Sequence, residues 1–175
     1  MSEAIDTTKA ELVTRKHIAR VSELLGEFSI EMIRRAAAHD RSKFDLVELG
    51  PLARMQTLID AEGPARFGTD EYKRRTDMLG PMIANHRRNN NHHPEFYEFE
   101  YGGNCMNGIN GMNLFDLVEM FFDWKAASER GEDVCMRLGA ACDKYKIEGS
   151  LREILYNTAR KLGYQADAPA AEPTP

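Results

Sequence analysis

Apolar side chains return every three or four positions along most of this chain. Leu12, Val13, Ile18, Val21, Leu24 and Leu25 form one series, and Ile30, Met32, Ile33, Ala36 and Ala37 a second. That spacing gathers apolar groups on one side of a 3.6-residue helix, and it predicts helices over about 9–25 and 28–39. A third helix is predicted over about 45–60, where Gly50-Pro51 breaks or restarts it. A fourth covers about 70–90, opened by Thr69-Asp70-Glu71 in capping positions and kinked or split at Pro81. The stretch MNLFDLVEMFFDWKAASER predicts a strongly apolar helix over about 112–130, and 134–144 and 151–162 supply two more. Between Asn89 and Gly111 no period survives, and the Asn- and Gly-rich run reads as a long loop of the functional kind. With no internal repeat and no alternating stretch of useful length, the expectation is an all-α, single-domain helical bundle.

Composition narrows the setting. The chain has 175 residues of which 42% are apolar, enough for one core without disulfides. The folded domain is expected over 9–164, with a flexible 1–8 and a disordered Pro/Ala-rich 165–175 that contributes little to stability. Cys105, Cys135 and Cys142 are odd in number and lack CxxC spacing, which points to a reducing compartment. No segment has the apolar length of a bilayer span and the start has no signal-peptide pattern, so a soluble, cytoplasmic protein without a membrane partner is expected. The net charge of −5 disfavours duplex nucleic acid while leaving room for a local basic pocket. A homo-oligomer is compatible with all of this.

The candidate chemistry lies in the histidines. There are five, His17, His39, His86, His92 and His93, and the motifs HDRSK and NNNHHPE concentrate them among polar residues. Imidazole together with carboxylate suits a divalent transition metal: Mn, Fe, Co, Ni or Zn. His39 and Asp40 follow the apolar turn that ends the second predicted helix, from where both can point at one ion. His17 falls beside Ile18, Val21 and Leu24, on or near the face expected to be buried. A histidine alone there is more often a packed core residue, and it is the other four that turn the reading towards ligation. On the later helix, Asp116, Glu119 and Asp123 share one face at i, i+3 and i+7. Such a stripe is either a solvated face or a buried set that needs partners, because burying carboxylates costs several kcal/mol unless they are paired or metal-bound.

The order His17, His39-Asp40 and a later helical Asp resembles the H…HD…D signature of the HD-domain superfamily, metal-dependent phosphohydrolases with an all-helical core. HDRSK is similar to the HDxxK motif of the HD-GYP phosphodiesterases, although their GYP segment is missing, and His86 with His92-His93 resembles a further H…HH set that binds a second metal. HDRSKF, NNNHHPE, MNLFDLVEM and DWKAA together resemble a phage and bacterial family of unknown function, over roughly residues 15–160. The resemblance implies His17, His39, Asp40 and Asp116 as primary ligands, with Asp123 as a substitute for Asp116. His86 and one or both of His92 and His93 then complete a second site, giving one or two metals per chain. Lys43 is implied in contact with a phosphate or the metal-bound nucleophile.

A metal with an open position brings the pKa of its bound water towards 7, and a phosphoester is the natural target. Arg34, Arg35, Lys73, Arg87 and Arg88 are candidate phosphate contacts, each weighed against a solvated surface role. Tyr72, Phe96, Tyr97 and Tyr101 are candidate stacking partners, and Glu95 or Glu119 a candidate proton shuttle. The expected activity is a phosphohydrolase acting on a nucleotide or another small phosphorylated metabolite. The alternatives are an HD-type di-iron oxygenase and a catalytically silent nucleotide-binding protein.

Overall fold

A computed structural model describes residues 6–66, 68–100, 108–130 and 134–167. Among these the chain is all-α, with eight α-helices and two short 3-10 turns. It divides into two compact units, Met1–His39 and Asp40–Pro175.

The first unit is one helix, α1 (Thr8–Ala38). The two helices expected here are continuous because the predicted break rests on Gly26 alone. A mid-helix glycine costs only about 1 kcal/mol relative to alanine, and the ion pairs from Arg20 to Glu23 (2.9 Å) and Glu27 (3.5 Å) bracket it. No residue of α1 is buried, and Ile18, Val21, Leu24 and Leu25 are exposed. His17 is exposed too.

The second unit begins with a 3-10 turn (Arg41–Phe44) and continues through α2 (Leu46–Glu62), α3 (Asp70–Met78), α4 (Gly80–Asn89) and α5 (Pro94–Glu100). A second 3-10 turn (Gly108–Gly111) then leads to α6 (Leu114–Ser128), α7 (Leu138–Tyr145) and α8 (Gly149–Lys161). Pro51 sits inside α2 without ending it, at the cost of one backbone bond to the carbonyl four residues back. The segment expected over 70–90 is split in two, since Gly80-Pro81 opens α4 with proline in its first turn, where the missing N–H has no partner to lose. Arg75, buried on α3, ties this helix to the end of α2 by donating to the Gly63 carbonyl (2.7 Å) and to Glu62 (3.0 Å).

The long loop expected over 89–111 contains a helix. Pro94 starts α5, and the chain after it is pressed close by two glycines. A Cβ on Gly108 would stand 1.9 Å from the Pro94 carbonyl oxygen, and one on Gly111 would stand 2.7 Å from the Tyr97 Cβ. Glycine is required at both positions by that approach. The expected stacking residue Tyr101 and the thiol of Cys105 lie outside the described residues.

The core of this unit joins α6, α7 and α8. Met120, Phe121, Met136, Leu138, Cys142, Ile147, Leu155, Tyr156 and Ala159 are all buried in one cluster. Cys135 and Cys142 are free thiols, and burial pushes Cys142 up to about 11. The expected boundary at 164 is too early. The Met136 amide donates to the Gln165 carbonyl (2.8 Å), and the Asp167 amide donates to the Met136 carbonyl (3.0 Å). Asp167 Oδ1 also accepts from the Gly139 amide at the start of α7 (2.8 Å). Residues 165–167 are thus held, while 1–5 and 168–175, where flexible ends were expected, lie outside the described residues. No described helix is long and apolar enough to cross a membrane.

Candidate metal centre

Asp40 opens the second unit with a positive φ of 55°, a left-handed conformation that aspartate tolerates better than most residues. Its carboxylate is only 14% exposed and pairs with Lys43 Nζ through Oδ2. Lys43 is thus placed on a carboxylate of the site. The other oxygen, Oδ1, meets two imidazoles: His86 Nε2 at 3.2 Å and His92 Nε2 at 3.4 Å. His86 comes from the last turn of α4, and His92 from the tight connection that ends at Pro94.

Each of these imidazoles is oriented from behind by an acidic side chain. Glu48 of α2 has no exposed surface, and its Oε2 lies 2.9 Å from His86 Nδ1. An ionised carboxylate only accepts hydrogen bonds, so Glu48 orients the ring with Nδ1 as its donor and turns Nε2 towards Asp40. The remaining capacity of Glu48 is filled by Asn85 Nδ2 (2.9 Å) and Ser42 Oγ (3.2 Å), which offsets the cost of burying a charge. His92 repeats the arrangement with Glu119 of α6, whose Oε1 lies 3.2 Å from Nδ1. Two imidazoles thus turn their Nε2 atoms towards one carboxylate oxygen, an arrangement that suits a shared cation or shared protons.

His93 completes the group. One ligand atom from each of Asp40, His86, His92 and His93 lies within 4.8 Å of all the others. The rings of His92 and His93 are 4.2 Å apart and those of His86 and His93 4.9 Å. Burial, reinforced by His92 and His86, pushes the pKa of His93 down to about 3, so it stands as a neutral imidazole. Its Nε2 is buried without a hydrogen-bond partner. Three imidazoles and one carboxylate form a donor set that suits zinc, manganese, iron, cobalt or nickel. Two ligands each about 2.0–2.1 Å from a tetrahedral ion stand about 3.3 Å apart, close to the separations of Asp40 Oδ1 from the two Nε2 atoms. The residues fit a divalent metal.

The expected ligands are placed apart by the fold. His17 and His39 lie on or at the end of one continuous helix, 22 positions apart and so about 33 Å along its axis at 1.5 Å per residue. They cannot hold the same ion within one chain. His39 closes the first unit as the C-cap of α1, its amide donating to the Arg35 carbonyl (2.7 Å). Asp116 is fully buried but occupied otherwise. Its Oδ2 accepts from the Tyr97 hydroxyl (2.5 Å) and the Asn113 amide (3.0 Å), while Asn113 Oδ1 accepts from the Asp116 amide (3.1 Å), a reciprocal cap for α6. Glu119, one turn further on, meets the histidine instead.

The expected phosphate contacts are scattered. Arg34 pairs with Glu31 along α1 (3.7 Å), and Arg35 lies in the last turn of that helix. Lys73 on α3 and Arg88 on α4 are exposed. Arg87 lines a cleft that His93 also bounds. That cleft, of about 340 Å³, is bounded further by Asp123, Trp124, Arg137, Lys144 and Tyr145. Glu95 joins its cations, pairing with Arg87 (3.1 Å) and accepting from Lys144 (3.2 Å) and the Tyr145 hydroxyl (3.1 Å). Burial works to raise the Glu95 pKa, but its backbone hydrogen bond and the two cations outweigh it and hold the group below its usual range. Glu95 is thus an anchored anion, unlike the proton shuttle suggested for it. Tyr97 is buried on Asp116 and edge-on to Phe96 (5.1 Å), which makes both packing groups, and Tyr72 is exposed on α3.

Glu48, Asn85, Arg137 and Lys144 were not among the expected site residues. Glu48 carries no motif around it, and Arg137 and Lys144 come from a helix remote in sequence from the histidines. The Asn113-Leu-Phe-Asp116 spacing, by contrast, is a readable capping signal and argues against Asp116 as a ligand.

A family model described as Family of unknown function (DUF5662) matches residues 6–161. No curated protein and no solved structure matches the chain.

Proposed function

The chain belongs to the DUF5662 family, a family of unknown function, so its chemistry must be argued from its own side chains, and we propose that it is a metal-dependent phosphohydrolase acting on a small phosphorylated metabolite. The observation that carries this reading is the convergence of His86 and His92, each backed by a carboxylate, on Asp40 beside His93. Backing of this kind fixes the tautomer and raises the basicity of a ligating imidazole, and it is characteristic of metal sites. A divalent ion bound there supplies a Lewis acid and a water acidic enough to be deprotonated near neutral pH.

The protein's own groups then have distinct tasks. Glu48 and Glu119 hold the imidazoles in register. Lys43, paired with Asp40, is placed to contact an anionic substrate when the carboxylate turns to the ion. The hydrolysis balances simply: water adds its oxygen to phosphorus, the ester P–O bond breaks, and the leaving alcohol takes a proton. The donor set supports this reaction class without specifying the substrate.

The test is elemental analysis of purified protein, followed by a screen of phosphate esters for phosphate release with Mn, Co, Ni, Zn and Fe. A bound or activating divalent metal with phosphate release, lost in His86→Ala and His92→Ala, is the expected result. Iron with oxygen consumption and no phosphate release would overturn the hydrolase in favour of oxidation.

A further inference from the structure

The basic cleft shares His93 with the metal-ligand group, and the composition of the rest of its lining is informative. Arg87 from α4 and Arg137 and Lys144 from the start and end of α7 place three cations around about 340 Å³ of space, against the single carboxylate of Asp123 on its lining. Guanidinium and ammonium groups in this density suit the oxygens of a phosphate. Glu95 sits behind Arg87 and Lys144 and pairs with both (3.1 and 3.2 Å), which holds these two cations in place at the cleft.

The cleft also has an aromatic side. Trp124 and Tyr145 both line it and are stacked with ring centroids 5.9 Å apart and planes within 6°. Lys144 Nζ lies 4.3 Å from the Tyr145 ring centre. A planar ring entering beside such a pair gains stacking that a sugar phosphate alone cannot, by about 1–3 kcal/mol per base on the scale of base–aromatic contacts. His93 belongs to both the cleft lining and the metal-ligand group, so a phosphate seated among these cations is next to the site of the proposed chemistry.

We infer that this cleft binds the substrate, and that the substrate is a phosphate monoester of a molecule carrying a planar ring, with a nucleoside monophosphate as its simplest form. Arg137 and Lys144 contact the phosphate and the Trp124–Tyr145 pair contacts the ring. The inference rests on the hydrolase reading for the reaction, but the binding it describes is measurable without turnover.

The experiment is calorimetric titration of the purified, metal-free protein with the four common ribonucleoside monophosphates, each compared with its nucleoside and with ribose 5-phosphate. At least one monophosphate is expected to bind tenfold or more tightly than either fragment. Arg137→Gln and Lys144→Gln should each weaken that monophosphate tenfold or more while leaving the nucleoside unchanged. Their metal content and circular dichroism should match the parent, which separates a lost contact from a lost fold. A monophosphate that binds, responds to both variants and is never cleaved would support the cleft and overturn the hydrolase. Phosphate release with KM unchanged in both variants would overturn the cleft and leave the hydrolase standing. Equal affinity for monophosphate and nucleoside, or no binding by any of the four, would also overturn the cleft.

Discussion

Helix α6 is the wall between two interiors built on different physics. One side presents Met120 and Phe121 to the apolar cluster with α7 and α8. The other presents Asp116, Glu119 and Asp123 to Tyr97, His92 and the His93 cleft. The apolar side is held by non-directional burial, so it tolerates changes of shape and sets how much stability is available. The polar side works only when each donor faces its acceptor, so a change of one atom there leaves the fold standing and removes a function. The amphipathic stripe read from the sequence is real, but its polar face is turned inward.

The comparison breaks most visibly at Phe121. Phe121→Ala should lower unfolding free energy by about 3–5 kcal/mol through lost burial and a cavity, measured by urea denaturation, with metal affinity per folded molecule unchanged. A metal affinity that falls with stability would mean that the two interiors are not separable. Within the polar side, Asp116→Ala should cost about 2–3 kcal/mol, since it removes a helix cap and leaves a buried tyrosine hydroxyl without its acceptor. Glu48→Gln and Glu119→Gln should instead reduce metal affinity about 10- to 100-fold with much smaller losses of melting temperature. Metal titration of the three variants distinguishes the cap from the two orienting carboxylates, and equal affinity in all three would contradict the division.

The tail sharpens the contrast on the apolar side. Truncation after Gly163 removes Tyr164, which stacks on Phe121 with centroids 6.4 Å apart, and Asp167, which caps the start of α7. A loss of about 1–2 kcal/mol is expected. Unchanged thermal melting would show that these contacts contribute nothing, as the Pro/Ala-rich composition alone suggests.

Much of this was legible in the chain. The helical period placed α2, α6 and α8 within a few residues, and the polar motifs HDRSK and NNNHHPE hold Asp40, His92 and His93, with His86 three residues before the second. Three features were hidden for physical reasons. The Asn and Gly density around PEFYEFE masked α5, whose entry depends on Pro94 and on the tight approach of Gly108. Choosing among Asp116, Glu119 and Asp123 required knowing which turn of α6 meets His92, and equal spacing on one face cannot supply that. Glu48 owes its role to α2 packing beside α4, a contact between residues 38 positions apart.

A smaller effect follows from His93. Its pKa is lowered to about 3 from 6.5 by burial first, so between these values the unfolded chain binds the proton that the folded one refuses. The contribution is fully present above about 6.5 and is lost as pH falls towards 3. Metal-free protein should therefore lose about 1 kcal/mol between pH 7 and 5.5, and His93→Asn should flatten that dependence. An identical slope in the variant would remove His93 from the account.

The central claim is that the ion is held by Asp40, His86, His92 and His93 of one chain, with no ligand from His17. Metal stoichiometry by elemental analysis tests it directly in Asp40→Ala, His86→Ala, His92→Ala and His17→Ala, with circular dichroism confirming the helices. The account predicts that the first three lose the metal and that His17→Ala keeps the full complement. Full occupancy in His86→Ala and His92→Ala, or a loss confined to His17→Ala, would contradict it.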